Sequence, residues 1–260
     1  MSKSEPTAAP IDSPLAELGL LIESTGEKLH GRALVLPTMC APGTDSLRVS
    51  ILAAWADTIL GLLGVRAIAP RVPVTLELDV QLFADLSAVA EIHMIARVTK
   101  AGRAVQVYSL DILNGDGQRL GFAHSVFMAA PDSSLSMPTG DWALGRFASR
   151  RSVLTEPFAD RVGCRRVAPG VAELPLAPSL MNSSKTLNGG LLAVAVEEAV
   201  LSTYPTPTTL SSLHLHYLRP VRTGPAVARA EMHGALGEIE VRDAATDALA
   251  VVATARVAQR

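Results

Sequence analysis

The stretch that decides the fold reads LNGGLLAVAVEEAV, from Leu187 to Val200. Two glycines open a run of Leu, Ala and Val, which then meets two acids, Glu197 and Glu198. A helix built from this run is apolar on nearly every side, so it has to be enclosed to bury its faces. The first N–H groups of a helix lack intrahelical partners and sit at the positive end of its dipole. Glycines there let another group approach the backbone closely. Gly190 and Glu197 are seven residues apart and share one face. At the helical rise they are separated by about 10 Å along the axis. A single reacting carbonyl, with working contacts of about 3 Å, cannot touch both. The acid of one such helix therefore has to serve the N-terminus of another.

The chain supplies a second helix. WADTILG (Trp55–Gly61) places Asp57 where LAVAVEEAVL places Glu197, and LDVQLF (Leu78–Phe83) matches LHLHYL (Leu213–Leu218). The first half predicts a short helix over Leu15–Ser24 and a strand over His30–Leu36. A loop with N-cap candidates Thr44, Asp45 and Ser46 follows. An apolar helix is then expected from Leu47 to Leu63, ending near Gly64. VPVTLELDVQLF, AVAEIHMIARVTKAG, RAVQVYSLDILNGDGQ and RLGFAHSVFMAA alternate apolar and polar residues, as half-buried antiparallel strands do. AGR and NGDG mark hairpin turns between them. PDSSLSMPTGDW (Pro131–Trp142) has the composition of a linker. Beyond it the plan repeats, with a helix over Leu191–Ser202 and strands in TLSSLHLHYLRP, PAVARAEMHGAL, GEIEVRDAAT and DALAVVATARVA. The reading is a duplicated α+β domain. Each unit, of about 115 residues, is a strand, one long helix and a four-strand antiparallel meander wrapped around it. The expected boundaries are a disordered N-terminus over 1–14, a first domain over 15–130, a linker over 131–146 and a second domain over 147–260.

Composition narrows the chemistry. With 260 residues and 48% hydrophobic content, two cores can be built. A net charge of −2 argues against a nucleic-acid partner, which needs a basic face. Cys40 and Cys164, the only cysteines, form no CxxC pair or disulfide framework, so a cytoplasmic setting is expected. The polar, Pro-rich N-terminus lacks a signal-peptide core, and no stretch reads as a membrane span.

A helix wrapped by an antiparallel sheet, twice over, resembles a double hotdog fold. LNGGLLAVAVEEAV resembles the signature of PaaI-like acyl-CoA thioesterases, HGG followed by a small-apolar helix and LADTA. Asn188 takes the His place, Gly189 and Gly190 are the glycines, and Glu197 falls at the acid position. In the first half WADTILG resembles LADTA, with Asp57 as the acid, while the HGG positions read Arg48, Val49 and Ser50. YLRP (Tyr217–Pro220) resembles the FLRP that follows the family's helix. The resemblance covers roughly 30–130 and 160–260. It implies hydrolysis of acyl-CoA thioesters without a metal or other cofactor, coenzyme A entering only as part of the substrate. It also implies two hotdogs paired around a shared site.

Two unequal sites are expected. In one, Asp57 faces the Gly189–Gly190 turn, with Asn188 beside it; in the other, Glu197 faces Val49 and Ser50. Asn182, Val49, Ser50, Trp55 and Thr58 are the candidate substrate-side residues. Asn188 has an amide that takes up no proton, so acid–base work falls to the carboxylates. Glu198 is expected to be solvated or salt-bridged. Arg71, Arg219 and Arg222, near strand ends, are candidates for holding coenzyme A phosphates, with ordinary surface arginine as the default. His214 and His216 share a strand face, but no third ligand is spaced nearby in sequence, so no metal site is expected. Ser50 and Ser183 lack a GxSxG elbow. Exposed sheet edges suggest pairing into a homodimer of double hotdogs. Two rival readings are a hotdog dehydratase or hydratase on acyl thioesters, which needs an acid–His pair, and a non-catalytic acyl-CoA binder.

Overall fold

The computed structural model describes residues 13–140, 144–145, 147, 153–182 and 184–258. The disorder expected of the N-terminus falls mostly on residues 1–12, outside the described residues, as do Ser183 and residues 141–143 and 146 of the expected linker. The first half contains a one-turn helix α1 (Pro14–Glu17), strands β1 (Leu21–Thr25) and β2 (Lys28–Leu34), helix α2 (Val49–Ile68) and strands β3 (Pro73–Leu82), β4 (Glu91–Ala101), β5 (Val105–Asn114) and β6 (Arg119–Ala129). The second contains α3 (Phe158–Arg161), β7 (Arg165–Ala168), β8 (Val171–Leu174), α4 (Gly189–Leu201), β9 (Leu210–Tyr217), β10 (Ala226–His233), β11 (Leu236–Asp243) and β12 (Ala248–Val257). A short 3-10 turn precedes each long helix, Pro37–Met39 and Pro178–Leu180.

All twelve strands join one antiparallel sheet in the order β1-β2-β4-β5-β6-β3-β9-β12-β11-β10-β8-β7. Read from the β3–β9 junction outward, each half repeats the same connectivity, as a two-fold axis at that junction requires. There Asp79 lies directly opposite His214, its counterpart in the LDVQLF and LHLHYL match. Leu78, Val80, Leu213 and Leu215 are fully buried on the inner face. Their neighbours Glu77, Asp79, His214 and His216 belong to the opposite face, because successive strand side chains alternate.

The two long helices lie against the inner face, side by side and antiparallel. Asp57, midway along α2, meets the first turn of α4, while Glu197, far along α4, meets the first turn of α2. The approach is close: a Cβ on Gly190 would sit 3.0 Å from the Ala54 Cα. Side chains such as Trp55, Ile51, Leu52, Leu191 and Val194 are at most 1% exposed. By length and composition α2 could cross a membrane. Here it is the buried core helix, enclosed by sheet and partner helix, so the expectation that no stretch has that length and composition is corrected.

Four further expectations are corrected. Leu15–Ser24 is not a helix: after Glu17 the chain enters β1, and Gly26, at φ +61°, turns it into a hairpin with β2. Each unit therefore carries two strands before its long helix. α2 continues past Gly64, whose missing Cβ leaves room for the Pro73 ring at 3.2 Å. It stops at Ile68 because Ala69 precedes Pro70 and adopts an extended ψ of 142°. Finally, β3 pairs with β6 and β9, not with β4. The AGR and NGDG turns hold consecutive strands together, but the Phe83–Ala90 link has no tight hairpin turn and carries the chain to the far side of the half-sheet.

Candidate active site

The first turn of α4 is built by Asn188, whose Oδ1 accepts from the Gly190 N–H at 2.9 Å as an N-cap. Asp57 of α2 reaches the same turn. Its Cβ is 3.4 Å from a Cβ placed on Gly190, and the Gly190 N–H also donates toward its carboxylate. The Thr75 hydroxyl donates to Asp57 Oδ1 at 2.8 Å. A β-bulge between Thr75 and Glu77 sets this up, turning Thr75 inward while Glu77 faces out. Burial raises the Asp57 pKa above the ordinary carboxylate value, and the bonds from Thr75 and Gly190 pull it only part of the way back. Tyr217 closes the other side. Its hydroxyl donates to the Gly189 carbonyl at 2.9 Å, and its ring lies 3.3 Å from where a Gly189 Cβ would be. Burial and the neighbouring Asp57 charge push the Tyr217 pKa well above normal, so the phenol stays protonated as a donor.

This turn opens into a cavity of about 730 Å³. Asp57, Thr75, Asn188, Gly189 and Tyr217 line its polar side, and Leu62, Val65, Phe127, Leu135, Met137 and Phe147 line its apolar side. Leu135 and Met137 belong to the Pro-rich segment read as a linker. Met137 N–H donates to the Pro70 carbonyl at 2.9 Å, so this segment packs as part of the cavity wall. Arg219 and Arg222, both exposed, also line the cavity.

The equivalent turn of α2 is filled. Glu197 accepts from the Val49 N–H at 3.0 Å, from Ser50 Oγ at 2.5 Å and from Arg48 Nε at 2.7 Å. Arg48 also bonds Glu198, and Arg166 Nε bonds the other Glu198 oxygen at 2.5 Å. Arg48, Ser50, Glu197 and Glu198 are all at most 4% exposed. Burial alone would raise the Glu198 pKa, but the Arg48 and Arg166 charges outweigh it and hold the carboxyl below its ordinary value. Burial works against the Arg48 cation, but the two glutamates more than offset this and raise its pKa.

The expected cross-pairing of acids and turns is the arrangement found: Asp57 with Gly189–Gly190, and Glu197 with Val49–Ser50. Asn182 and Thr58 line the cavity. Asn182 Oδ1 is taken up by its own loop, accepting from Ser184, Thr186 N–H and Thr186 hydroxyl, and the Thr58 hydroxyl donates to the Ala54 carbonyl. Val49, Ser50 and Trp55 are instead buried, at most 1% exposed, and line no part of this cavity. They sit at or beside the filled turn or in the core. Glu198 is salt-bridged but buried. Arg71 bonds the Ala130 carbonyl and lies outside the cavity lining. Thr44, Asp45 and Ser46 do not cap α2; the carboxylate of Glu197 does so from the other half. Three residues escaped sequence reasoning. Tyr217 lay inside the quoted YLRP, Thr75 lay at a bulge that alternation does not reveal, and Arg48 was read as a lost glycine turn rather than as a counter-ion.

Two sheet-wrapped helices in antiparallel contact define a double hotdog. Residues 50–120 match the family model described as thioesterase superfamily, and residues 177–257 match the one described as acyl-CoA thioesterase N-terminal domain. The chain belongs to the thioesterase superfamily as a tandem of two such domains, and it is a thioester hydrolase. The match is at the level of the superfamily, coarser than the PaaI-like group that the motif resembles. In fold it is similar to the 12:0-ACP thioesterase of Umbellularia californica (TM-score 0.64, 12% identity, 92% of this chain and 100% of that one). It is similar also to an acyl-ACP thioesterase from Bacteroides thetaiotaomicron (TM-score 0.62, 12% identity, 89% and 98% covered). A third is the tesB protein of Mycobacterium avium subspecies paratuberculosis (TM-score 0.61, 15% identity, 94% and 96% covered). No curated protein matches it in sequence.

Proposed function

We propose that this chain hydrolyses acyl thioesters at one site, formed by Asp57 and the N-terminus of α4, and that the matched site around Glu197 is inactive. The observation that carries this reading is the cavity of about 730 Å³: Asp57 and Gly189 line it, and the Glu197 network does not. Its apolar side suits an acyl chain. Arg219 and Arg222 suit the phosphates of a pantetheine-bearing carrier. The acyl-CoA description of the second family model favours coenzyme A, and the fold neighbours named for acyl-ACP keep a carrier-protein thioester in the comparison.

In this scheme the thioester carbonyl oxygen turns toward the α4 N-terminus, where the Gly189 N–H and the helix dipole stabilise the developing oxyanion. Asp57 takes a proton from the attacking water as the C–O bond forms; the tetrahedral intermediate then collapses with cleavage of the C–S bond, and the proton held on Asp57 passes to the departing thiolate. A carboxylate whose pKa is raised is a better proton acceptor at neutral pH than an ordinary one. Thr75 holds Oδ1, fixing the carboxylate plane. Tyr217 positions the turn through the Gly189 carbonyl.

Free-thiol release from a panel of acyl-CoAs and acyl carrier proteins is the direct test. Binding of every member without thiol release would sink the reading, and a change in enoyl absorbance would point to hydration instead. Single turnover in ¹⁸O-water tests the role of the acid: label in the Asp57 carboxylate shows direct attack, because water has then opened an acyl–Asp57 anhydride at the aspartyl carbon.

A further inference from the structure

We infer that the outer face of the sheet carries a transition-metal site, made by Glu77 of the first half with His214 and His216 of the second. The two histidines are two apart on β9 and share its outward face. Sequence spacing offers them no third ligand. The β3–β9 ladder does, because it sets Glu77 directly opposite His216 and one step diagonally from His214. Glu77 Oε1 lies 2.9 Å from His214 Nε2, and the imidazole rings are 4.3 Å apart between centroids. One ligand atom from each of the three residues lies within 4.8 Å of the other two. Ligand atoms around a tetrahedral zinc ion, at metal distances of about 2.0–2.2 Å, stand roughly 3.3 Å from one another. Small side-chain rotations therefore bring the three atoms onto one ion.

The donor set selects the metal. Two imidazoles and one carboxylate suit Zn²⁺ and its neighbours, whereas Mg²⁺ and Ca²⁺ favour all-oxygen shells. Glu77 and His214 are partly buried, which limits their freedom before binding, and His216 is exposed, leaving a path for the ion. Asp79, opposite His214 on the same face, is held by Gln81 Nε2 at 2.6 Å and adds negative charge beside the cluster. The site faces away from the helices and from the Asp57 cavity, so its role is not in hydrolysis. The ion ties β3 to β9, the one pair of strands among the described residues through which the two halves share a sheet.

Titration calorimetry of the untagged, metal-stripped chain with ZnCl₂ tests this, with thermal melts alongside. One zinc per chain is expected. At a free concentration a hundredfold above the dissociation constant, the melting temperature should rise by roughly 5–10 °C. MgCl₂ should give no shift. His214→Ala and Glu77→Gln change surface side chains, and each should weaken zinc binding at least about tenfold, as loss of a ligand does. Thiol release by these two variants should equal that of the parent chain. The proposal falls if zinc binds no tighter than about 1 mM. It falls equally if the double variant His214→Ala/His216→Ala binds zinc as the parent does, since the ion would then sit elsewhere.

Discussion

Two helix N-termini, matched by duplication and each facing an acid from the other helix, have been put to opposite uses. At α4 the turn is Asn188-Gly189-Gly190, the acid is Asp57, and the space before them is a cavity. At α2 the turn is Arg48-Val49-Ser50, and the acid, Glu197, is taken up by Arg48 Nε, the Val49 N–H and the Ser50 hydroxyl. The difference comes down to what stands in front of the helix. Glycine leaves room and offers only N–H groups. Arginine brings a cation that fills the room and needs a buried counter-ion. A carboxylate beside glycine is costly to ionise, and so is ready to take a proton. Beside arginine it is neutralised and becomes part of the core.

The sharpest way to test that contrast is Asp57→Asn against Glu197→Gln. Asp57→Asn is expected to cut kcat/KM by about 10²–10⁴, the usual worth of a positioned general base. Glu197→Gln should leave thiol release by the folded protein unchanged. Equal losses from both would break the comparison, because both sites would then be working. Next in size is Arg48→Met. It leaves two glutamates buried without their shared cation and should cost about 3–5 kcal/mol in urea unfolding. Adding Glu197→Gln and Glu198→Gln should recover much of that loss. If the triple variant is no more stable than the single one, the network is not the reason for the cost.

Gly190→Ala comes third. Its Cβ would meet Ala54 backbone at 3.0 Å, so overpacking of about 1–3 kcal/mol should outweigh the better helix propensity of alanine. A stabilised Gly190→Ala chain would mean that the helices have room to part. The smallest effects are on pH. As the base, Asp57 has to be ionised, so kcat/KM should fall on acidification with a midpoint above that of an ordinary aspartate. Because its folded pKa is raised, its ionised form costs stability at neutral pH; that cost shrinks as the pH falls below the raised value and is gone below the ordinary aspartate value. Asp57→Asn should therefore melt slightly higher than the parent at neutral pH and lose that advantage in acid. Glu198 has the opposite sign: its folded pKa is lowered, so it adds stability above the ordinary carboxylate range, lost as the pH drops below it.

Much of this arrangement was legible in the sequence, and the reason is geometric. The helical rise alone separates Gly190 from Glu197, which forces the acid of one helix onto the turn of the other. The duplicated WADTILG then names Asp57. Strand alternation located the sheet residues because one face is packed on helices and the other is not. What stayed hidden lies where chain order and spatial order differ. Nothing local says that β3 skips β4 to join β9, that Glu77 completes a pair of histidines from the other half, or that Arg48 finds its partners in α4. Thr75 was hidden for a related reason, since a bulge shifts the alternation by one residue just where the strand reaches Asp57.

The trans-capping of α2 also has a consequence in time. During synthesis Arg48 and the Val49 N–H leave the ribosome long before Glu197 is made. Likewise β3 stays an open sheet edge until β9 has emerged. The first half is therefore translated as a structure missing both carboxylate partners of Arg48, one helix cap and one strand, all of which arrive with the last quarter of the chain. Nascent chains halted before residue 197 should consequently be the protease-sensitive and chaperone-bound ones.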